Sequence, residues 1–150
     1  MPSLPSPVPF HLALPVDDLE AAAVFYGEVL GCSRSRSSPK WIDYDFFGHQ
    51  LTVHKVKADD LPAVARNAVD GDAVPASHFG PILSWDDWAQ LQARLRSSGI
   101  EYTLAPKTRF EGRRGEQKTC FLRDPAGNYL EFKCFRNPDM LFANDDLDYA

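Results

Sequence analysis

Apolar and polar residues alternate along several short runs of this chain, and two longer stretches repeat at helical spacing. In residues 8–16 the even positions Phe10, Leu12, Leu14 and Val16 are apolar. That pattern predicts a strand with one packing face, and it leaves His11 and Ala13 on the other side. Asp17, with Glu20 three residues on, offers a capping box. Leu19, Ala22, Ala23, Tyr26, Val29 and Leu30 then recur at helical spacing until Gly31 stops the helix. Residues 32–39 are polar and rich in serine and arginine, as an irregular edge strand would be. Segments 41–47 and 49–56 predict a hairpin turning near Gly48. In its second strand Leu51 and Val53 pack against the helix, while Gln50, Thr52 and His54 share the opposite face. Residues 59–68 read as a short helical stretch and 69–77, with Gly71, Asp72 and Pro75, as a linker.

The pattern then restarts. A strand at 77–83 leads into a helix capped by Ser84 with Asp87, whose inner face is Trp88, Leu91, Gln92 and Leu95 and whose stop is Gly99. A strand at 100–105, a polar loop at 107–115, a strand at 117–123, a turn at 124–128 and a last strand at 129–135 follow. From residue 136 the chain is acidic and irregular. Gly48-His49-Gln50-Leu51-Thr52-Val53 also matches Gly127-Asn128-Tyr129-Leu130-Glu131-Phe132, a glycine turn opening an alternating strand in both. Each half is strand, helix, then three strands. The fold class expected is α+β: two βαβββ modules, 8–68 and 77–135, form a curved mixed sheet around a cleft with the helices on the outer face. The whole of 1–150 is one domain in this reading, with tails at 1–7 and 136–150.

Bulk properties narrow the partners. A chain of 150 residues buries roughly 68–70% of its unfolded surface, so no disulfide scaffold is needed. The net charge of −5 argues against nucleic-acid binding. Lys107, Arg109, Arg113, Arg114 and Lys118 are nonetheless a local basic cluster, either a solvated loop or a site for an anionic substrate group. Cys32, Cys120 and Cys134 are odd in number and show no paired spacing, which fits buried thiols in a reducing compartment. No run reaches the ~18 apolar residues of a membrane span. Residues 1–9 carry four prolines and no secretory pattern, so the cytoplasm is the expected location.

Parity then points to chemistry. In the last strand Leu130, Phe132 and Cys134 take the packing side, which puts Tyr129, Glu131, Lys133 and Phe135 on the other. His11 and His78 hold the matching parity of the two opening strands. If the modules pair about a pseudo-twofold axis, His11, His78 and Glu131 converge. Two imidazoles and a carboxylate with open positions suit Fe(II) first, and also Mn, Ni, Zn or Co. Each residue alone has a plainer reading, as a hydrogen-bonded or merely exposed strand residue.

These residues carry a family resemblance. His11, Asp18-Leu19, Phe25-Tyr26, Leu30-Gly31, His78 and Asp124-Pro125-Ala126-Gly127-Asn128-Tyr129-Leu130-Glu131 resemble the vicinal oxygen chelate superfamily over 8–135. That group holds glyoxalase I, extradiol dioxygenases and the bleomycin and fosfomycin resistance proteins. The resemblance implies paired βαβββ modules, a homodimer, and a divalent ion on His11, His78 and Glu131 that chelates neighbouring oxygens of a small-molecule substrate. Two departures bear on the reaction. Thr52 stands where glyoxalases of this fold have a fourth ligand, and Phe121 stands where extradiol dioxygenases have a tyrosine. The acid–base candidates left are His54 and Glu116. Arg109 is a candidate anchor for a substrate carboxylate, Trp41 and Tyr44 are candidate pocket walls, and His49 reads as structural. The function expected is a metal-dependent enzyme of glyoxalase or dioxygenase type; the alternative is a non-catalytic binder of a drug or metabolite, of the bleomycin-resistance kind.

Overall fold

The computed structural model describes residues 7–144, so the expected N-terminal arm before residue 7 and the end of the acidic tail, 145–150, lie outside the described residues. The chain divides after Leu61 into two compact units.

The first unit contains β1 (His11–Val16), α1 (Leu19–Ala22), β2 (Ser33–Ser38), β3 (Trp41–Phe46) and β4 (His49–Lys55). They form a four-stranded sheet in the order β1-β4-β3-β2, with β1 parallel to β4 and the other pairs antiparallel. The helix cap is Asp18, one residue later than the capping box suggested: its Oδ1 accepts from the backbone of Glu20 and Ala21 at 2.9 and 3.1 Å. After Ala22 the helix widens into π-helical turns over Ala23–Val29, with the Leu30 amide donating to the Phe25 carbonyl at 3.0 Å. Gly31, at φ 78°, ends it. Phe47 and Gly48 both have positive φ, 52° and 87°, as a two-residue hairpin turn requires. That turn sets the register, so Leu51 and Val53 are buried on the helix side with Tyr26, and Thr52 faces away. β2 is an edge strand bulged between Arg34 and Ser37, as its polar sequence indicated.

The second unit departs from expectation before its sheet begins. The helical stretch at 59–68 and the linker at 69–77 are replaced by a 3-10 turn at Ala58–Asp60 and a hairpin of β5 (Arg66–Val69) and β6 (Asp72–Pro75). Asp70 and Gly71 turn it, at φ 46° and 83°. The strand expected at 77–83 shrinks to β7 (Ile82–Leu83) and a single parallel bridge from Phe79 to Leu130. Gly80 and Pro81 interrupt the ladder there. Then come α2 (Trp85–Ser98), β8 (Leu104–Arg109), β9 (Gln117–Arg123) and β10 (Tyr129–Phe135), in a sheet ordered β7-β10-β9-β8. In α2, Ser84 caps through the Asp87 amide, Gly99 is left-handed at φ 68°, and Trp88, Leu91, Gln92 and Leu95 are buried. Leu130, Phe132 and Cys134 are buried on β10, while Tyr129, Glu131 and Lys133 are half-buried on its other face. Burial pushes the Cys120 thiol up to about 12, so it stays protonated and behaves as a core side chain.

β8 begins later than expected and takes Lys107 and Arg109 out of the supposed loop. The reason is electrostatic. Both cations point to the same face of β8 and meet acids of the hairpin: Lys107 Nζ lies 2.8 Å from Asp72 Oδ2, and Arg109 Nη2 lies 3.0 Å from the same oxygen. A charged strand thus resembled a loop because its partners lie about 35 residues away. The Lys107 hydrogen bond, helped by Arg109, holds the Asp72 carboxyl below the usual carboxylate range. Among the described residues no helix is long and apolar enough to cross a membrane.

Two outcomes test this arrangement. A Cβ added at Gly80 would fall on the Glu131 carbonyl oxygen and come within 2.7 Å of its carbonyl carbon. Gly80→Ala should therefore cost ~1–3 kcal/mol or more in thermal or denaturant unfolding, and unchanged stability would refute the close approach of 79–81 to β10. For Asp72, the lowered folded-state pKa means stability present above the unfolded value of about 4 and lost as pH falls through the folded one. The Tm gap between wild type and Asp72→Asn should be present near neutrality and close in acid; a gap independent of pH would contradict the ion-pair anchor.

Candidate metal centre

In the second unit His78 and Glu131 face one another, with His78 Nε2 3.0 Å from Glu131 Oε2. Glu131 is placed by β10, opposite Phe121 of β9. Its second oxygen accepts from Thr119 Oγ1 at 2.7 Å, which fixes the carboxylate plane. His78 is not placed by strand parity as expected, because it lies between β6 and β7. Its Nδ1 sits 2.7 Å from the Pro75 carbonyl, and its ring stands edge-on to Phe121 at 5.1 Å.

That geometry decides the protonation pattern. A carbonyl only accepts, so Nδ1 carries the proton and donates. Without a proton of its own, Nε2 would face a carboxylate oxygen as a second acceptor. Two acceptors at this distance repel unless a positive charge lies between them. A shared proton does this, and a divalent cation can replace the proton. An imidazole tied at Nδ1 to a carbonyl, beside a carboxylate tied to a hydroxyl, is the oriented donor pair that such ions take. The residues present fit the ion. No third His, Cys, Asp or Glu joins the pair within this unit among the described residues.

In the first unit His11 is exposed at the start of β1, paired with Gln50 in the register that pairs Ala13 with Thr52. Thr52 is buried, and its hydroxyl donates to Asp43 Oδ1 at 2.6 Å. Asp43 is itself buried on β3 and takes an ion pair from Arg36 at 3.4 Å. As Thr52 is the repeat equivalent of Glu131, Asp43 is the equivalent of Phe121, because each pair is opposed in its hairpin. Asp43 is not among the residues that the repeat itself marks. The signal was available: once the turn at 47–48 fixes the register, Asp43 falls on the polar parity beside Thr52.

The other candidates divide. His54 is exposed on the polar face opposite Trp41, and Trp41 lies half-buried with the Arg36 guanidinium 6.0 Å from its ring centre. Tyr44 is on the helix face instead, buried against Tyr26 at 5.7 Å between ring centres, and is a core residue rather than a pocket wall. His49 Nδ1 accepts from the Phe10 amide at 2.8 Å, a structural role as expected. Glu116 braces its loop, accepting from the Gly112 amide at 2.9 Å and from Arg136 Nη1 at 3.2 Å. The Gly112 amide and Arg136 lower its pKa, which makes it a weak base. Arg109 is buried, and its guanidinium is engaged by Asp70, Asp72 and the Val69 carbonyl, so it has no fork left for a substrate carboxylate.

Comparison with known proteins agrees with the fold and the repeat. The sequence model of the Glyoxalase/Bleomycin resistance protein/Dioxygenase superfamily matches residues 9–132. Among curated proteins no significant match is found. Among solved structures, a glyoxalase/bleomycin resistance protein/dioxygenase from Alicyclobacillus acidocaldarius is similar at 34% identity and a TM-score of 0.74, covering 91% of this chain and 97% of that one. A genomically encoded fosfomycin resistance protein from Listeria monocytogenes shares the fold at 18% identity and a TM-score of 0.63, covering 94% and 100%. A glyoxalase-related enzyme from Fulvimarina pelagi does so at 22% and 0.59, covering 88% and 89%. With two βαβββ modules and a family match spanning both, this chain belongs to the Glyoxalase/Bleomycin resistance protein/Dioxygenase superfamily.

Proposed function

We propose that this protein is a divalent-metal-dependent enzyme of the glyoxalase or dioxygenase type, acting on a small substrate with neighbouring oxygens. His78 and Glu131 hold the ion, with His11 as the third ligand. Fe(II) is the favoured ion, and Mn, Ni, Zn and Co suit the same donors. The observation that carries this reading is the opposed Nε2 and carboxylate of His78 and Glu131, 3.0 Å apart with Nδ1 already committed to Pro75. The chemistry such an ion supplies when bound is polarisation of substrate oxygens.

The protein's own groups do the rest. Thr119 and the Pro75 carbonyl orient the two ligands. His54, exposed on the polar face of the first sheet, is the acid–base candidate, since Glu116 is held within its loop. Phe121 has no hydroxyl to give or take a proton at the position where extradiol dioxygenases use tyrosine. Isomerisation or lyase chemistry therefore fits these residues better than catechol ring opening.

Metal analysis of protein grown with added Fe, Mn, Zn and Ni tests the proposal. About one divalent ion per chain should be found, lost in His78→Ala and kept in Asp43→Asn. A metal-free wild type, or a full complement in His78→Ala, would overturn the enzyme reading and leave small-molecule binding without chemistry.

A further inference from the structure

The β5–β6 hairpin has little apolar anchorage. All of β5 is exposed, and only Val74 and Pro75 of β6 are buried. A two-stranded hairpin is marginal by itself, so polar contacts decide where it sits. Three cations of its own unit hold it. Lys107 reaches Asp72 at 2.8 Å, and Arg66 of β5 reaches the Tyr129 hydroxyl at 3.0 Å, with its guanidinium 5.3 Å from that ring's centre. Arg109 makes the most extensive anchor. Nη1 donates to the Val69 carbonyl at 3.1 Å and lies 3.5 Å from Asp70 Oδ2, while Nη2 lies 3.0 Å from Asp72 Oδ2 without hydrogen-bond alignment. This side chain is 4% exposed, against 43% for Asp70 and 26% for Asp72. It is thus the buried post to which both sides of the Asp70-Gly71 turn are tied.

The far end of the same hairpin reaches the metal centre. The Ala76 amide donates to the Ala65 carbonyl at 2.6 Å, closing the hairpin's base. Pro75, the last residue of β6, presents the carbonyl that takes the His78 Nδ1 proton at 2.7 Å. An imidazole ligand needs such a partner to fix its tautomer and ring plane. We infer that Arg109 is a positioning residue for His78: by anchoring the hairpin turn it holds the Pro75 carbonyl in place, and that carbonyl aims Nε2 at Glu131. The metal-affinity consequence rests on the reading of His78 as a ligand, whereas the orientation of the ring does not.

The test uses the full chain and Arg109→Met, which keeps much of the side-chain volume and removes the charge. In apo protein, at a pH where the ring is neutral, ¹⁵N shifts of the His78 imidazole report the tautomer. Wild type should show a single tautomer, and Arg109→Met a mixture of both forms. The Kd for Zn²⁺ should rise by ~10–100-fold, the usual cost of losing an outer partner of a metal-bound histidine. Leu95→Ala, a core truncation in the same unit, should lower Tm while leaving both the tautomer and the Kd unchanged. Should Arg109→Met fail to fold, Asp72→Asn removes the acid shared by Arg109 and Lys107 and serves in its place. A destabilised but folded variant with wild-type His78 shifts and wild-type Kd would overturn the inference. Wild type without affinity for Zn²⁺, but with the tautomer change in Arg109→Met, would support the positioning role and overturn the metal reading alone.

Discussion

One hydrogen bond sets the terms for the second unit. Because the Pro75 carbonyl can only accept, the His78 ring must donate from Nδ1, and its Nε2 is directed at Glu131. Every neighbouring feature makes that bond possible or uses it. Gly80 lets the chain after His78 pass against the Glu131 backbone, where no Cβ fits. Thr119 satisfies the far oxygen of Glu131, so the near one keeps its direction. Phe121 walls the ring from the side. A side-chain pair held this way has lost most of its rotamer freedom, which is the pre-organisation a binding site needs.

The two units share a plan and spend it differently. The second unit has a carboxylate, Glu131, on its last strand, opposite an apolar Phe121. The first has a hydroxyl, Thr52, at the repeated position and moves the carboxylate one strand over, to Asp43. Burying Asp43 is costly unless its charge is answered. Thr52 donates to one oxygen and Arg36 lies beside the other, so the carboxylate is retained in a buried place. The repeated hairpins thus each hold one carboxylate, on the last strand in the second unit and on the strand opposite in the first.

Much of this was legible in the sequence, wherever short-range rules apply. Period-two alternation located 117–123 and 129–135, and the cap residues Ser84 and Gly99 bounded α2. The turn at Gly48 fixed the parity of Leu51, Thr52 and Val53, and the parity of Glu131 followed in the same way. The rest depended on distant partners. Lys107 and Arg109 read as loop because the acids that neutralise them lie in another hairpin. That hairpin was itself obscured, since β5 buries none of its residues, though the Asp70-Gly71 pair was a fair turn signal. His78 was singled out for a reason that does not hold. Gly80 and Pro81 break the strand, and the backbone of Pro75, not parity, aims the ring. Asp43 lies outside the repeated segment, on the strand opposite it, so only the hairpin register brings it beside Thr52.

Metal binding by the His78–Glu131 pair is the central claim. Anomalous diffraction from crystals grown with Mn²⁺ or Fe²⁺ is the direct measurement. A single strong peak about 2.0–2.2 Å from both His78 Nε2 and a Glu131 carboxylate oxygen, with Nδ1 still on the Pro75 carbonyl, would agree with it. A map in which the ion is absent or bound elsewhere, while His78 and Glu131 keep their direct contact, would contradict it.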